Sequence, residues 1–396
     1  MDFDNIVESG HQAVQFLPQP SSDLEQDIDW LELPDHGDYI RFSAVSHVWH
    51  SVAIQNRHLT LARKPPLLML ATELNNDDQT HSFYSLTENK VVDFCLQVPH
   101  NLYMRGSSHG WLAMVSNNWE ITLYNPFLSV NNKIQLPPAT AFEPRIDNDG
   151  DSVTVIDFDD YMKFVSKVVL SDNPASNPNY VVMAIYGDYC LLAFYKPGDK
   201  AWTSIDSKLI FIEDVIYYDD QFYFVDHKGN VFSCDLNQPQ PRVSTVSPVL
   251  QGADKRYLVE SCGELWQVSR YTIFPDENDI NWESDNPMDY RNAKFDVFKL
   301  DRVAVEWIKM DNLQGCVFFL GDNSSYSVWG SDCPECKPNS IYYTDDYYEG
   351  YHLELKNGLG PHDMGVFNLQ EGTHEPHYPT NSKMLIPAPI WIERTL

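Results

Sequence analysis

Residues 215–236 read VIYYDDQFYFVDHKGNVFSCDL. Three short runs of β-branched and aromatic residues are separated by Asp219-Asp220 and by Lys228-Gly229-Asn230, residue types that suit tight hairpin turns. The stretch therefore reads as three antiparallel strands in succession. The same pattern lies on both sides of it. RYLVESCGELWQVSRY (256–271) turns at Cys262-Gly263, and VVMAIYGDYCLLAFYKPGDKAWTSI (181–205) turns at Gly187-Asp188 and at Pro197-Gly198-Asp199.

A looser repeat extends this reading over most of the chain: an aromatic strand, a turn, then a strand with Trp or a branched residue. It occurs in FYSLTENKVVDF, TLYNPFLSVNNKIQL, AFYKPGDKAWTSI, NVFSCDLNQPQPRVSTV, DVFKLDRVAVEWIKM and GVFNLQEGTHEPH, starting near residues 83, 122, 193, 230, 296 and 365. The shortest intervals are about 40 residues, which is propeller periodicity. Dividing residues 66–396 by ~45 per blade predicts a mainly β fold, a single β-propeller of about seven blades, with six to eight also fitting. Closing such a ring needs a last strand, and MLIPAPIWIERTL (384–396) can lay Ile390–Ile392 beside PPLLMLATEL (65–74) of the first blade.

Composition limits the function. With 27 basic against 57 acidic residues the net charge is −30, the wrong sign for nucleic acid or an anionic membrane. Such a surface suits solubility and steers basic partners inward. The start, MDFDNIVESGHQAVQF, is acidic where a signal peptide is basic, and no apolar run approaches a membrane span. Seven cysteines, an odd number scattered over 396 residues, predict free thiols in a reducing compartment, cytoplasm or nucleus.

Ahead of the strands the pattern differs. Residues 1–29 are polar and acidic and read as a mobile leader. From Asp38, Ile40, Ala44, Val48 and Val52 recur every four residues, with Val45 and Trp49 beside them, so an amphipathic helix is predicted over 38–53. The tandem prolines of ARKPPLLML end it.

Several motifs resemble sites of chemistry. CPECK puts Cys333 and Cys336 at zinc spacing but lacks a second ligand pair, so a structural turn with two free thiols is expected, even allowing for Cys316 and His362. HEPH (His374, Glu375, His377) is equally short of ligands. DNDGDSVTVIDFDD aligns Asp147, Asp149 and Asp151 like a calcium loop, but Gly150 and Phe158 stand where a later glycine and a glutamate belong; a solvated acidic loop is expected. Gly358 and Gly360 make no dinucleotide fingerprint, and the sequon at Asn323 has meaning only on a secretory route. Ser107, Ser108 and His109 in GSSHGWL fit a turn better than a catalytic pair, because strand neighbours face opposite ways. The pairs Asp159-Asp160, Asp219-Asp220 and Asp345-Asp346 read as hairpin tips. No catalytic residue, metal or cofactor is expected.

Taken together, GSSHGWL, LYNPF, KVVLSDNP, AFYKPGDKAWTSI, IEDVIYYDDQFYFVDHKGNVFSCDL, YLVESCGELWQV, FDVFKLD, NSIYYTDD, DMGVFNL and PIWI resemble, in order, the plant F-box proteins with a C-terminal β-propeller of the kink-suppressor (KIB) type. The resemblance covers the chain from about residue 66. It implies that DWLELPD opens an F-box and DYIRFSAVSHVWHSVA closes it, so that residues 30–62 form a degenerate F-box-like helical segment ahead of a 66–396 propeller. Between Asp35 and Tyr39 stands only HGD, where the family has a full amphipathic helix and part of the next. By position, Leu33, Pro34, Ile40, Val45 and Trp49 would carry contact to a Skp-type adaptor of a cullin ubiquitin ligase, a contact weakened or lost with the missing helix. For Val45 and Trp49, packing onto the propeller fits equally well.

The expected function is therefore a protein-interaction module resembling a substrate receptor of an SCF-type ligase, with no catalysis of its own. The alternatives are an F-box-derived binding protein detached from any ligase, or a propeller enzyme or small-ligand binder using its axial pocket. Convergent, perturbed carboxylates with a histidine would mark the last of these, and an aromatic-rich face would mark protein binding.

Overall fold

The structure is a computed structural model that describes residues 65–70, 80–95, 102–128, 130–143, 164–205, 209–236, 240–274, 290–347, 362–377 and 390–393. The chain divides into two compact units, Met1–Arg63 and Lys64–Leu396. The helix expected over 38–53, the leader, the acidic loop at 147–160 and Gly358 and Gly360 lie outside the described residues.

The second unit is built from antiparallel hairpins. Blade 1 holds β1 (Leu67–Met69), β2 (Thr80–Ser85) and β3 (Lys90–Cys95), with β25 (Ile390–Ile392) at its inner edge. Blade 2 runs β4 (Tyr103–Ser108), β5 (Trp111–Val115), β6 (Ile121–Tyr124) and β7 (Lys133–Gln135). Blade 3 follows with β8 (Val165–Leu170), β9 (Val182–Tyr186), β10 (Leu191–Tyr195) and β11 (Thr203–Ser204). Blade 4 has β12 (Ile212–Tyr218), β13 (Gln221–Asp226), β14 (Val231–Asp235) and β15 (Arg242–Thr245). Blade 5 has β16 (Lys255–Ser261), β17 (Glu264–Ile273), β18 (Arg291–Asp301) and β19 (Glu306–Met310). Blade 6 has five strands in the order β21 (Ser324–Trp329), β20 (Cys316–Gly321), β22 (Ser340–Tyr343), β23 (Gly365–Asn368) and β24 (Thr373–Glu375). Here β22 pairs parallel to β20, whereas the other ladders are antiparallel.

The ring has six blades, not the seven that chain length suggested. Unequal blade lengths explain the difference. From the start of β12 at Ile212 to that of β16 at Lys255 is 43 residues, but from β4 at Tyr103 to β8 at Val165 is 62. A uniform repeat therefore counts one blade too many. The ring closes as expected: Leu67, Leu68 and Met69 pair with Ile392, Trp391 and Ile390.

Why the central strands are apolar without alternation follows from the ring. Each is covered on both faces, so successive side chains enter different cores. On β20, Phe318 packs with Val259 and Trp266 of blade 5, while Phe319 packs with Leu68 and Trp391 of blade 1. Val215 and Ile216 likewise join the cores shared with blades 3 and 5. Similar clusters lie between blades 2 and 3, around Trp111, Val165 and Tyr186, and between blades 1 and 2, around Phe83 and Leu112. Every gap in the ring is thus filled, with each large buried side chain worth ~1.5–3 kcal/mol. Buried indoles keep their N–H satisfied: Trp111 donates to Asn173 Oδ1 at 3.0 Å, and Trp391 to the Leu320 carbonyl at 3.2 Å.

The hairpin turns fall where the sequence puts them. Asp219 and Asp220 join β12 to β13 with φ of 49° and 60°, and Cys262-Gly263 joins β16 to β17. His109 and Gly110 form the turn between β4 and β5, so GSSHGWL is a hairpin. Asp345-Asp346 departs from expectation: both follow β22 into the interior, for reasons given below.

Candidate functional site

The innermost strands β25, β4, β8, β12, β16 and β21 stand side by side around the axis. The approach of β4 to β8 is close enough that a Cβ on Gly106 would lie 2.0 Å from the Val168 carbonyl oxygen, so only glycine fits there. Near the end where β8, β12 and β16 begin, the axis opens into a cavity of about 270 Å³.

Three bulges build its wall. The ladders slip between Met104 and Gly106, between Val165 and Lys167, and between Ile212 and Asp214. The extra residues are Arg105, Ser166 and Glu213, and all three line the cavity. A bulge re-aims a side chain that regular pleating would turn into the blade interface. Lys167, Lys255, Asp322, Asp346 and Tyr347 complete the charged and aromatic lining.

Around this cavity the charges are paired between blades. Lys167 of β8 donates to Asp214 of β12, and both are buried. Asp214 Oδ2 also accepts from the Leu258 N–H of blade 5 at 2.8 Å and from Ser325 Oγ of blade 6 at 3.0 Å. One carboxylate thus ties four blades. Arg256 reaches Glu213 at 3.2 Å, and Lys255 reaches Asp322 at 3.0 Å. Burial pushes the Glu213 carboxyl up, against the pull of Lys255 and Arg256. Burial works against the Lys255 ammonium too, but Asp322 and Asp346 hold its pKa well above the ordinary value.

Behind the wall lies the network that takes in Asp345 and Asp346. Arg270 of β17 bonds Asp346 Oδ1 at 2.7 Å and Asp363 Oδ2 at 2.8 Å, and Tyr257 donates to Asp346. Asp345 Oδ2 accepts from Tyr290 Oη at 2.6 Å and from the His362 and Asp363 N–H groups at 2.8 and 3.1 Å. These aspartates are internal ligands for an arginine and for backbone donors. Two acidic residues after a strand look the same in sequence whether they face water or a buried guanidinium. Burial pushes Asp345 up to about 6, with Tyr290 and His362 pulling the other way.

Aromatic side chains flank the cavity. Beside Cys190 and Ile212, Phe211 packs on Tyr189 and His227 with ring centroids 5.7 and 5.1 Å apart. Opposite, Tyr347 packs on Phe274 and Tyr290 at 5.4 and 4.9 Å. Phe211 and Phe274 are both exposed. The carboxylates on the wall have cations beside them, and no histidine lines the cavity among the described residues.

The remaining sequence candidates fall elsewhere. Leu33, Pro34, Ile40, Val45 and Trp49 lie outside the described residues, as do Asp159 and Asp160. Cys333 and Cys336 are joined in a disulfide, correcting the expectation of two free thiols. The turn closed by the Cys336 N–H on the Cys333 carbonyl brings their Cα atoms to 5.2 Å, within bonding range. His374 and His377 both pack on Tyr343, through its hydroxyl at 3.2 Å and its carbonyl at 3.2 Å. No cluster of three or more metal-type ligands occurs among the described residues.

The cavity residues were missed in the sequence, although a signal existed. Ser166-Lys167, Glu213-Asp214 and Lys255-Arg256 are polar pairs heading otherwise apolar strands. Ser166, Lys167, Glu213 and Lys255 line the cavity, while Lys167, Asp214 and Arg256 are buried in cross-blade contacts.

Comparison with known proteins gives a consistent picture. Residues 83–368 match the family described as KIB1-4 beta-propeller. The chain is 25% identical to the Arabidopsis thaliana F-box protein SKIP23 over 92% of its own length and 96% of that protein. It is also 25% identical to the putative F-box protein At5g55150 of Arabidopsis thaliana, over 72% of this chain and 76% of that one. Among solved structures, a nidogen/laminin complex matches with a TM-score of 0.32 and 9% identity, over 61% of this chain and 91% of that one, too low to argue from.

Proposed function

Because the chain belongs to the KIB1-4 β-propeller family, we propose that it is a substrate receptor for an SCF-type cullin ubiquitin ligase. In this reading the propeller presents a target protein and residues 30–62 meet a Skp-type adaptor through Leu33, Pro34, Ile40, Val45 and Trp49. The chain itself catalyses nothing, and ubiquitin transfer belongs to its partners. The observation that carries the proposal is the extent of the likeness to an Arabidopsis F-box protein. At 92% of this chain it exceeds what the propeller unit, Lys64–Leu396, can supply, so it takes in residues ahead of the propeller. The net charge of −30 supports a basic target, and the aromatic ledges beside the cavity support a protein ligand. Cytoplasm or nucleus is the compartment where such a ligase works.

A second reading has its own observation. The cavity of about 270 Å³ has charges of both signs on its wall, which suits a small polar ligand and makes the propeller a ligand-binding protein.

An adaptor titration tests the proposal. The chain as it stands and a version with an amphipathic helix restored between Asp35 and Tyr39 are titrated with a Skp-type adaptor. The proposal expects the restored version to bind at least tenfold tighter, since several buried apolar side chains at ~1.5–3 kcal/mol each return to the contact. Failure of both versions to bind overturns the receptor reading. Equal affinities overturn the reading of residues 30–62 as a shortened F-box.

A further inference from the structure

Two thiols away from the cavity have no part in the reading above. Cys262 occupies the turn between β16 and β17, exposed, with φ of 57°. Cys316 opens β20 in the next blade and is buried. Their sulfur atoms are 3.1 Å apart. A disulfide needs about 2.05 Å, so bonding requires about 1 Å of approach, within reach of a small rotation of the surface side chain.

Hydrogen bonds fix the turn that carries Cys262 and the strand end that carries Cys316. Tyr218 Oη donates to the Gly263 carbonyl at 2.7 Å, and the Gly263 N–H donates to Glu260 Oε1 at 3.0 Å. Ser261 Oγ lies 2.8 Å from Ser327 Oγ across the junction of blades 5 and 6. On the other side, the Cys316 N–H donates to the Leu313 carbonyl at 3.0 Å. The pair is therefore preorganised.

We propose that Cys262 and Cys316 form a redox-active dithiol, a modification site that hydrogen peroxide converts to a disulfide joining blade 5 to blade 6. The exposed sulfur of Cys262 meets the oxidant. As the Cys262 sulfur attacks one peroxide oxygen its proton passes to the Cys316 thiolate, the O–O bond breaks, and the departing hydroxide takes that proton from Cys316 to leave as water. The Cys316 thiolate then attacks the Cys262 sulfenic sulfur. The S–O bond breaks, the S–S bond forms, and a second water leaves. Two thiols are oxidised by two electrons, and one peroxide is reduced to two waters.

The electrostatics agree with this geometry. Hydrogen bonding from Cys262 holds the Cys316 thiol down to about 7, and the same contact pushes Cys262 up. One proton is shared by two sulfurs and rests on Cys262, so the Cys316 thiolate is placed to draw it off as the surface sulfur attacks. The site is separate from the Cys333–Cys336 disulfide, which spans a turn within blade 6.

The test uses the full chain. It is reduced, treated with a few equivalents of hydrogen peroxide, alkylated, and digested with trypsin for mass spectrometry without reductant. The Cys262 peptide joined to the Cys316 peptide should rise at least tenfold over the reduced control and vanish with dithiothreitol. Because Cys316 shares its tryptic peptide with Cys333 and Cys336, the joined species must persist in the Cys333→Ser/Cys336→Ser chain. Cys262→Ser, a surface change that spares the core, must leave Cys316 open to alkylation. If Cys262 goes to sulfinic acid or pairs between chains while Cys316 stays alkylatable, the proposal is overturned. Resistance of both thiols to peroxide overturns it equally.

Discussion

Asp345 and His377 are both buried close to Tyr343, the first two residues beyond it at the end of β22 and the second against its carbonyl, and burial displaces their titration in opposite senses. His377 is lowered to about 4 by burial, against the opposing hydrogen bond with Tyr343. Its unfolded form binds a proton near 6.5, so its contribution is fully present above pH 6.5 and is lost as pH falls toward 4. Asp345, raised to about 6, has the opposite sign: its contribution is complete below about 4 and is lost as pH rises through 6. In the parent chain these terms, each on the order of 3 kcal/mol, largely offset between pH 4 and 6. His377→Gln removes one of them. Relative to the parent, the variant should gain about 2–3 kcal/mol on going from pH 7 to pH 4.5. Urea midpoints at the two pH values measure this, and parallel pH dependence of the two proteins rules it out. None of this was legible in the sequence. Asp345-Asp346 looks like a hairpin tip because no local pattern tells that β22 runs parallel to β20 and leads into the interior, and nothing in HEPH marks buried His377 off from its exposed neighbours.

At the level of the strand and hairpin, the sequence was easiest to read. Several turns carry residues that tolerate positive φ, such as Asp219-Asp220 and Gly263, and those are visible in sequence; positive φ at Trp119, Phe211 and Val305 gives no such signal. The strands between them were visible as apolar runs. What escaped were the bulges, since a single inserted residue leaves the composition of a strand unchanged and shows only as a polar pair such as Glu213-Asp214. The closing strand was legible because Ile390, Trp391 and Ile392 form an isolated apolar run between Pro389 and Glu393. Its importance can be measured. Trp391 is 1% exposed and packs on Phe319 at 5.0 Å, whereas Trp329 at the end of β21 is 42% exposed. Trp391→Ala should cost about 3–5 kcal/mol, and Trp329→Ala less than about 1 kcal/mol. Equal shifts in the denaturation midpoint of the two variants count against ring closure by β25.

For the molecule as a whole, the blade count shows how a correct pattern was misread. Each of the six repeats named from sequence is the outermost hairpin of one blade: residues 83–94 form β2 and β3, and residues 365–377 hold β23 and β24. Counting repeats gives six, while dividing length by a mean gives seven, because the long intervals carry extra connecting residues rather than a hidden blade. Charge is the other property of the whole chain. A net charge of −30 repels itself, and salt screens that repulsion over about 8–10 Å. Raising sodium chloride from 20 to 200 mM should therefore raise the melting temperature by about 2 °C, equivalent to roughly 1 kcal/mol in a chain of this size. A melting temperature that falls with salt would mean that the cross-blade ion pairs outweigh the general repulsion. The pairing of Leu67–Met69 with Ile390–Ile392 also sets a timetable for biosynthesis. Translation at about 5–20 residues per second separates the two partners by roughly 15–65 s. Through that interval the nascent chain presents the bare backbone edge of its first sheet to every neighbour in the polysome, until Ile390–Ile392 emerge to cover it.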